Sequence, residues 1–522
     1  MAQRPFELAR TRVTLFEALL RARDKKGGKF QIIEDHDRKP MSYDDLVRAA
    51  FALGGKLDTL IKRRETAGVL LPTGVGCTVT FFALHAIGRT PAMLNFTAGI
   101  MNLRSACEAA NVRKILTSRV FIKKAGLESL ANELSKHAQL IYLEDVRKTV
   151  DIGDKIIALV KGFFPRMFAA KANPDDTGVI LFTSGSYGTP KGAVLSHANI
   201  VANVEQCYSY VPFKPDWSFF CPLPMFHSFG LTGGTLLPLF TGHKTFLFPS
   251  PLQVKEIPKL IRETGANVFF ATDTFAQQYA RNAADGDLNC IELMVCGAER
   301  VKPETREIYK TRFDVELLEG YGATEASPVI SINLPDNNKH GTVGAFLPGI
   351  EWRLEPVPGI EGGQRLYVRG PNVMRGYLDP TKPFGIDLLP QGWHDTGDVV
   401  DVDQDGFIRI LGRVKRFAKV GGEMVSLNAV EAYAATVWPD HTHAAVALPD
   451  SRKGERIILF TDHAGAAAEE LQAWCKANGA SELAVPKKIV VVDTIPVLGS
   501  GKTDYVVMQR MAAERFAEAK AA

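Results

Sequence analysis

Cysteine, an excess of one charge and uninterrupted apolar segments are all scarce in this sequence. The seven cysteines are scattered and form no C-x-x-C pair, which argues against a disulfide framework or a zinc site and predicts reduced thiols. A net charge of +4 over 522 residues gives no reason to expect a nucleic-acid partner. The first residues lack the apolar core of a signal peptide. Together these absences predict a cytoplasmic protein.

Two uncharged runs, residues 67–88 and 219–243, could be mistaken for membrane spans. Both are interrupted by residues that break helices, such as Pro72, Pro222 and Pro238. A spanning segment needs continuous hydrogen-bonded backbone, so we interpret both runs as buried strand–loop–helix units and expect no transmembrane helix.

The length of 522 residues predicts at least two domains. A short strand is expected at 29–34, and Ser42 is expected to cap a helix that begins with acidic residues. A second strand-then-helix unit starts near Val69, and Ser196 is expected to cap another helix. This alternation of strands and helices predicts an α/β fold.

The segment 146–176 mixes large apolar residues with basic ones. It is interpreted either as a segment that contacts a membrane surface, at the inner face of the membrane, or as a helix that packs on the core and is followed by a linker. Apolar stripes are commoner in cores, which favours the second interpretation.

The most informative stretch is residues 180–192. A buried strand at 179–182 is expected to lead into a loop of small hydroxylic residues and glycines, which suits the binding of a polyphosphate. The loop is not a Walker sequence, because Pro190 precedes Lys191 and Gly192 follows it. The alternative interpretation is an ordinary surface loop.

This loop, Thr-Ser-Gly-Ser-x-Gly-x-Pro-Lys-Gly, resembles the phosphate-binding signature of the adenylate-forming superfamily, which includes acyl-CoA synthetases. The resemblance implies a large multi-sheet α/β N-terminal domain, residues 1–414, with the ATP and acyl sites. It also implies a small mobile α+β C-terminal domain, residues 415–522, with the catalytic lysine. The nucleotide-contacting residues that the loop implies are Thr183, Ser184, Gly185, Ser186, Gly188, Thr189 and Lys191, of which Lys191 also has a catalytic role.

Two further segments, 295–299 and 319–325, follow the family's order. In the second, the resemblance assigns Tyr321 to adenine, Thr324 to a phosphate oxygen and Glu325 to Mg²⁺, a hard cation that prefers oxygen ligands. Thr324 and Glu325 are also counted as catalytic. The remaining nucleotide contacts implied here are Gly297, Ala298, Glu299, Gly320 and Gly322.

The C-terminal quarter of the chain carries the other family positions. The resemblance assigns Asp398 to the ribose, since a carboxylate can accept bonds from both hydroxyls, and gives Arg413 a nucleotide contact. Lys415 matches the hinge and Lys419 a position used in the thioester-forming half-reaction. Lys502, in a Gly-Lys turn near the end of the chain, matches the essential catalytic lysine, which also contacts the nucleotide.

The acyl site is expected at two apolar segments, 222–230 and 271–275. By resemblance, His227 lies at the acyl entrance and is counted as catalytic. The side chains expected to line the acyl pocket are Phe226, His227, Phe229, Thr272 and Phe275.

The resemblance implies a ligase that uses ATP and Mg²⁺ to convert a fatty acid into an acyl-adenylate and then passes the acyl group to a thiol. Positive charge and metal bring the carboxylate and the α-phosphate together, although two anions repel. The closest resemblance is to the acyl-carrier-protein synthetase half of the bacterial enzyme that re-acylates lysophosphatidylethanolamine, and it extends from about residue 12 onward. Leu427, Ala429 and Tyr187 depart from the wider superfamily and support this branch.

The expected acceptor is therefore the phosphopantetheine thiol of acyl carrier protein, with coenzyme A as the alternative. No His is followed by Asp after four residues in this sequence, so we expect a stand-alone synthetase without the acyltransferase half. A basic run could serve either anionic acceptor or be a solvated face: Arg409, Arg413, Lys415, Arg416, Lys419, Arg452, Lys453, Arg456, Lys487 and Lys488. Three rival interpretations stay open: a fatty-acid-binding protein without activity, an amino- or aryl-acid adenylating enzyme, and a lipid acyltransferase.

Overall fold

The computed structural model of the protein describes residues 4–63, 65–183, 190–360, 362–379, 382, 385–420, 423–450, 454–478, 482–498 and 503–518. The chain forms two compact units. The large unit contains Met1–Asn338, Gly344–Glu351 and Arg369–His394, and the small unit contains Lys339–Val343, Trp352–Val368 and Asp395–Ala522. The domain boundary expected between residues 414 and 415 stays a prediction.

A nine-stranded sheet forms one layer of the large unit. Its six central strands run parallel, and antiparallel strands close both edges. Parallel strands need long crossovers, which the helices supply. In spatial order the strands are Ala345–Phe346, Val329–Ile332, Leu317–Gly322, Leu293–Gly297, Val268–Ala271, Phe219–Cys221, Thr245–Leu247, Gln31–Asp35 and Met41–Ser42.

An eight-stranded sheet forms the second layer of the large unit. Five of its strands are parallel, and three antiparallel strands extend one side. In spatial order they are Ile386–Leu388, Gly376–Leu378, Lys191–Ser196, Thr177–Thr183, Thr90–Met93, Thr66–Val69, Lys114–Thr117 and Gln139–Tyr142.

Two helices of the large unit begin at the capping residues that the sequence predicts. Ser42 and Asp45 form a reciprocal capping box, as do Ser196 and Asn199, so both predicted helix starts are confirmed. The helices of the large unit are Leu15–Lys26, Tyr43–Leu60, Val75–Ala86, Ile100–Ala109, Arg119–Lys124, Glu128–Ser135, Leu143–Lys148, Ile152–Phe163, Pro165–Phe168, His197–Tyr210, Leu237–Thr241, Ile257–Thr264, Asp273–Asn282, Pro303–Phe313 and the π-helix Phe229–Leu236.

In its described residues, the small unit contains two sheets and three α-helices. A four-stranded sheet has the order Glu351–Pro356, Gln364–Arg369, His394–Val402 and Ile408–Arg413. One end residue of each of its first three strands, namely Glu351, Arg369 and His394, belongs to the large unit. A five-stranded mixed sheet contains Glu423–Ser426, Phe417–Val420, Gly454–Thr461, His443–Asp450 and Lys488–Val491. Its helices are Leu427–Val437, Ala468–Ala477 and Tyr505–Glu518.

These elements confirm the predicted α/β class, and most predicted strands lie within two residues of the observed ones. The strand expected at 29–34 is Gln31–Asp35, and the strand expected at 179–182 is Thr177–Thr183. The uncharged runs 67–88 and 219–243 fold into buried strands and helices, as predicted. Across the described residues, every helix is too short or too polar to reach from one side of a bilayer to the other.

The apolar segment of 146–176 differs from the favoured expectation. It forms the helix Ile152–Phe163, which contacts the helix Tyr43–Leu60. The side chain that it buries there is the small one of Ala158, together with Gly162, whereas its large apolar side chains are exposed. The expected helix that packs on the core is therefore confirmed through Ala158, whereas the expectation that its large apolar side chains face the core is wrong.

Buried histidines are a second feature of the large unit. His197 accepts a hydrogen bond at Nδ1 from the backbone N–H of Leu15, over 3.3 Å, and its ring lies 5.1 Å from that of His85. Burial lowers the pKa of His197 to about 4, and the nearby carboxylate of Asp176 opposes the shift only in part. Burial also lowers the pKa of His85 and of His243. All three rings are therefore neutral in the folded protein near neutral pH.

We predict that acid destabilises the protein through these rings. Above pH 6.5, the ordinary pKa of histidine, folded and unfolded chains carry His197 in the same neutral state. Between pH 6.5 and about 4 only the unfolded chain gains the proton, so the free energy of unfolding falls by about 1.4 kcal/mol per pH unit for this group.

The measurement is the thermal midpoint at neutral pH and near pH 5. In His197→Asn the side-chain oxygen can still accept the hydrogen bond from Leu15. The thermal midpoint of this variant should fall less on acidification than that of the wild type. His36→Asn is the control, because His36 is exposed. Equal acid shifts in wild type and His197→Asn would contradict the prediction.

Candidate functional site

A short turn after the strand Leu317–Gly322 carries two of the predicted site residues. Thr324–Ala326 form a single 3₁₀ turn, from which the side chains of Thr324 and Glu325 project, both partly exposed. The phenolic hydroxyl of Tyr377 donates a hydrogen bond of 2.6 Å to the carboxylate of Glu325. The hydroxyl oxygens of Thr324 and Ser228 lie 3.3 Å apart. Three segments distant in sequence therefore meet at this turn.

The backbone of the turn is held as firmly as its side chains. The N–H of Met374 donates to the carbonyl of Glu325 over 2.7 Å. The amide of Asn372, which is fully buried, donates to the carbonyl of Ala326 over 2.7 Å, and the Ser327 hydroxyl donates to the carbonyl of Asn372 over 2.8 Å. Paired buried groups of this kind fix a segment, since each lost bond would leave a polar atom unsatisfied.

Lys191 lies at the start of the strand that follows the predicted phosphate loop. It pairs in register with Thr183, the last residue of the strand before the loop. Its ammonium nitrogen is 4.9 Å from the centre of the Tyr377 ring, a cation–π distance. The predicted loop contacts Ser184, Gly185, Ser186, Gly188 and Thr189 lie outside the described residues.

The segment 297–299 lies at the end of the strand Leu293–Gly297. This strand pairs with the strand Leu317–Gly322, which leads into the turn 324–326. Gly297 pairs with Gly320 on the neighbouring parallel strand. Ala298 has a left-handed backbone, with φ of 71°, which bends the chain out of the sheet. Thr274 donates its N–H to the carboxylate of Glu299 over 2.9 Å, so this side chain already caps the helix Asp273–Asn282.

Tyr321, expected to contact adenine, is only 8% exposed and lies within the strand Leu317–Gly322. The adjacent Gly322 is exposed, and a side chain there would meet the carbonyl oxygen of Pro328. The nucleotide roles of residues 297–299 and 320–322 stay predictions.

Part of the predicted acyl site consists of two groups of aromatic rings on neighbouring residues, here together called the apolar row. Phe226 lies with its ring 4.8 Å from Phe96 and 4.7 Å from His227. Phe229 lies 5.4 Å from Phe270, and a side chain at Gly297 would come within 3.2 Å of the Phe229 ring. His227 and Phe229 are both partly exposed. The segment 226–229 therefore contains both the hydroxyl of Ser228, which lies next to Thr324, and the apolar side chains of Phe226 and Phe229.

Phe275 does not join this row. It is buried in a separate apolar cluster, where its ring stacks on Tyr279 at 6.0 Å. Thr272 is buried as well and accepts the N–H of Phe275 as a helix cap. The pocket roles of Thr272 and Phe275 stay predictions, and the described contacts of both are structural.

The small unit holds the predicted ribose and hinge residues. Asp398 and Arg413 are paired in register on antiparallel strands, and the guanidinium of Arg413 donates to the Asp398 carboxylate over 2.8 Å. Lys415 lies in the turn Val414–Arg416, and Lys419 is exposed on the strand Phe417–Val420. Lys502 lies outside the described residues.

The basic run near the hinge is not a uniform solvated face. Arg416 donates to the carboxylate of Glu431 over 2.6 Å and lies 3.7 Å above the ring of Tyr505, which donates to the same carboxylate over 3.0 Å. Burial raises the pKa of Glu431, and the charge of Arg416 opposes that shift. Arg456 lies over the ring of Phe516. The members that are exposed in the described residues are Arg409, Arg413, Lys415, Lys419, Lys487 and Lys488, whereas Arg452 and Lys453 lie outside them.

Sequence reasoning missed Ser228 and Tyr377. Ser228 lies inside the apolar segment 222–230, where the expectation concerned only the neighbouring His and Phe side chains. Tyr377 follows Arg375-Gly376, in a stretch that carried no assignment. A Gly-Tyr pair in a predicted strand is a weak signal, and the partner of Tyr377 is 52 positions away.

None of the seven cysteines is placed for nucleophilic chemistry. All are free, and burial raises the pKa of Cys77, Cys107, Cys207 and Cys221 to about 12. Burial also raises the pKa of Cys290, Cys296 and Cys475. These thiols stay protonated at neutral pH, and the protonated form is a poor nucleophile.

The described groups of the large unit suit an anionic, metal-bound ligand. Hydroxyls at 228 and 324 offer hydrogen-bond donors, Lys191 offers positive charge, and Glu325 offers carboxylate oxygens held in place by Tyr377. Oxygen ligands of this type fit Mg²⁺. The neighbouring apolar rings could hold a chain next to that ligand.

Known proteins resemble this chain along most of its length. The long-chain-fatty-acid–CoA ligase of Yersinia pestis is 32% identical over 348 residues, which are 63% of this chain and 60% of the relative. The medium-chain fatty-acid–CoA ligase of Escherichia coli K12 is 29% identical over 363 residues, 66% of this chain and 62% of the relative. The match thus spans about three fifths of the length of these relatives.

Solved structures share the fold over nearly the whole chain. ATP-bound MatB from Rhodopseudomonas palustris has a TM-score of 0.80 at 23% identity, covering 96% of this chain and 99% of its own. The o-succinylbenzoate coenzyme A synthetase of Bacillus subtilis, in complex with AMP, has a TM-score of 0.77 at 20% identity, covering 93% and 96%. These likenesses confirm the predicted fold class.

The family of AMP-binding enzymes matches residues 20–378, a range that includes the phosphate loop, the turn at 324–326 and Tyr377. This match covers well over half of the sequence, and therefore the chain belongs to the AMP-binding enzyme family.

Proposed function

We propose that the protein activates a fatty acid with ATP, forming an acyl-adenylate, and then transfers the acyl group to a thiol. The observation that carries this proposal is the meeting of Lys191, Thr324 and Glu325 around Ser228 and Tyr377, next to the apolar row of Phe226 and Phe229. Family membership and the names of the curated relatives support the same reaction.

In the first half-reaction a carboxylate oxygen of the acid attacks the α-phosphorus of ATP. The bond between that phosphorus and the bridging oxygen breaks, and pyrophosphate leaves with the electron pair. The two reactants are anions, so positive charge must offset their repulsion. We assign this task to Lys191, with Lys502 as the residue that contacts both reactants.

The hydroxyls of Thr324 and Ser228 are proposed to donate to phosphate oxygens, because their oxygen atoms lie 3.3 Å apart on two fixed segments. Glu325 would hold Mg²⁺, and the Tyr377 hydroxyl on its carboxylate fixes the orientation of the group. The ion supplies charge neutralisation and a template for the phosphate chain when it is bound. The ribose contacts of Asp398 and Arg413 stay predictions from the resemblance.

The acid is proposed to be a fatty acid because the row beside the turn is apolar and aromatic. The segment 226–233 contains no carboxylate that would pair with a substrate amine, which disfavours an amino acid. The curated relatives named as long-chain and medium-chain fatty-acid–CoA ligases support this choice.

In the second half-reaction the thiol sulfur attacks the acyl carbonyl carbon, a thioester forms, and AMP leaves with its oxygen while the thiol proton passes to solvent. We propose coenzyme A as this thiol, since the curated relatives are named as CoA ligases. The phosphopantetheine arm of acyl carrier protein, expected from the closest sequence resemblance, is the second candidate. It rests on that resemblance, which extends from about residue 12 onward, and the departures at Tyr187, Leu427 and Ala429 support it.

The first half-reaction is tested by ATP–pyrophosphate exchange across fatty acids of graded length. The wild type should exchange with at least one of them. Lys502→Ala should lower the exchange rate by about 100-fold or more, because one charge that offsets the repulsion is lost. Lys419→Ala is the matched control and should keep exchange while it slows thioester formation.

Exchange that continues unchanged in Lys502→Ala would remove that lysine from the mechanism. Absence of exchange with every fatty acid, in a wild-type protein that binds ATP, would revive the interpretation as a fatty-acid-binding protein without activity.

The hydrogen bond between Tyr377 and Glu325 generates a separate prediction. Tyr377→Phe removes one bond to a charged group, typically about 1.5–3 kcal/mol, so the Mg²⁺ concentration at half-maximal exchange should rise by about tenfold or more. Glu325→Gln should raise it further. Tyr142→Phe is the control, because Tyr142 lies on the far edge strand of the eight-stranded sheet that also contains Tyr377. It should not change the Mg²⁺ concentration at half-maximal exchange. Equal Mg²⁺ dependence in Tyr377→Phe and wild type would refute the positioning role.

The acceptor is decided by supplying each thiol to the same acyl-adenylate. Thioester formation with coenzyme A should exceed that with holo acyl carrier protein by about tenfold or more in kcat/KM, the quantity that expresses specificity. Product with carrier protein alone would establish the second candidate instead.

A further inference from the structure

The helix Ile152–Phe163, here called the apolar helix, is fixed to the large unit by polar contacts at both ends. Asp151 and Asp154 form a capping box at its start, and Lys56 pairs with Asp154 over 2.5 Å. Beyond its end, Arg166 pairs with Glu17 over 3.0 Å and with Asp24 over 2.7 Å. Contacts on both sides make the outward face of the helix a fixed surface.

The apolar helix turns its small residues toward the protein and its large apolar side chains toward solvent. Ala158 and Gly162 are buried, and a side chain at Gly162 would come within 2.7 Å of the Arg48 side chain, which explains the glycine. At 100° per residue, positions 152, 156, 157, 160 and 163 fall on the opposite side. The exposed fractions of Ile152 and Phe163 reach 74% and 66%.

The exposed surface continues into the next turn, Pro165–Phe168. In the described residues 21 large hydrophobic side chains are exposed, and nine of them lie between 152 and 168. Such a cluster is uncommon on a protein that has no partner for it. The nine are Ile152, Ile156, Ile157, Leu159, Val160, Phe163, Phe164, Met167 and Phe168.

Basic residues outnumber acidic ones in and around this segment, although one of them, Arg166, is paired with Glu17 and Asp24. Residues 147–171 contain six lysines and arginines and two aspartates, a net charge of +4, which equals the net charge of all 522 residues. On the helix, Lys155 and Lys161 lie at the two margins of the apolar side, where long stems can cover apolar surface while the ammonium groups reach outward. Lys148 and Lys171 are exposed beside it.

We propose that the apolar helix is a docking surface for an anionic lipid bilayer, lying in the plane of the interface with its exposed face inserted. An apolar stripe with basic margins fits acyl chains below and anionic headgroups around it. A second copy of the chain fits less well, because a symmetric pair would bring Lys155 and Lys161 of both copies together. The proposal rests on this surface alone and holds whichever acid the protein activates.

Sedimentation of the full chain with vesicles tests the proposal. The wild type should pellet with vesicles of phosphatidylcholine and phosphatidylglycerol, more weakly with phosphatidylcholine alone, and less as salt rises. The double variant Ile156→Ser/Phe163→Ser should lower the partition coefficient by about tenfold or more, since it removes two inserted side chains. Lys155→Glu/Lys161→Glu should abolish the preference for anionic lipid.

The control is Met101→Ser/Leu252→Ser, which removes two exposed apolar side chains elsewhere in the large unit and should bind as the wild type does. Thermal midpoints equal to that of the wild type show that each variant is folded. The proposal is overturned if the wild type stays in the supernatant with anionic vesicles, or if the serine double variant pellets equally well. A dimer that the same variant dissociates, without vesicle binding, assigns the face to a second copy instead.

Discussion

The hydrogen bond from Tyr377 to Glu325 joins the two sheets of the large unit, and the candidate site depends on it. Tyr377 belongs to the eight-stranded sheet, whereas Glu325 follows a strand of the nine-stranded sheet. Around this bond the backbone from 325 to 327 is fastened to residues 372–374. The hydroxyl donor on the Glu325 carboxylate fixes the orientation of that group between the two sheets.

The same junction brings polar and apolar side chains next to one another. Ser228 touches Thr324 from a segment whose adjacent residues, His227 and Phe229, stand in rows of aromatic rings. That segment leads into a π-helix, a feature often found at functional sites. Gly234 within it leaves no room for a side chain against Cys221, so the backbone lies close to the sheet. The polar side chain of Ser228 is therefore directly adjacent in sequence to the ring of Phe229.

The sequence predicted those helix starts and strands that are determined by a few adjacent residues. The caps at Ser42 and Ser196 and the strand before the phosphate loop are each set by a few adjacent residues, and all three are observed. Contacts between distant segments could not be found in this way: Ser228 meets Thr324 across 96 positions. The outward turn of the apolar helix was missed for another physical reason. Periodicity shows that a helix has an apolar side, but the side facing the protein is chosen by fit, here at Ala158 and Gly162.

The ion pair of Arg416 and Glu431 has a consequence for protein engineering. Both side chains are largely buried, and removal of either one would leave an uncompensated charge at a cost of about 3–5 kcal/mol. Arg416 is therefore unsuited to redesign, although it lies next to Lys415 in a basic stretch. A designer who wishes to alter the electrostatic attraction of an acceptor can instead substitute Arg409, Lys487 or Lys488, whose exposed side chains can change sign without disturbing the interior of the small unit.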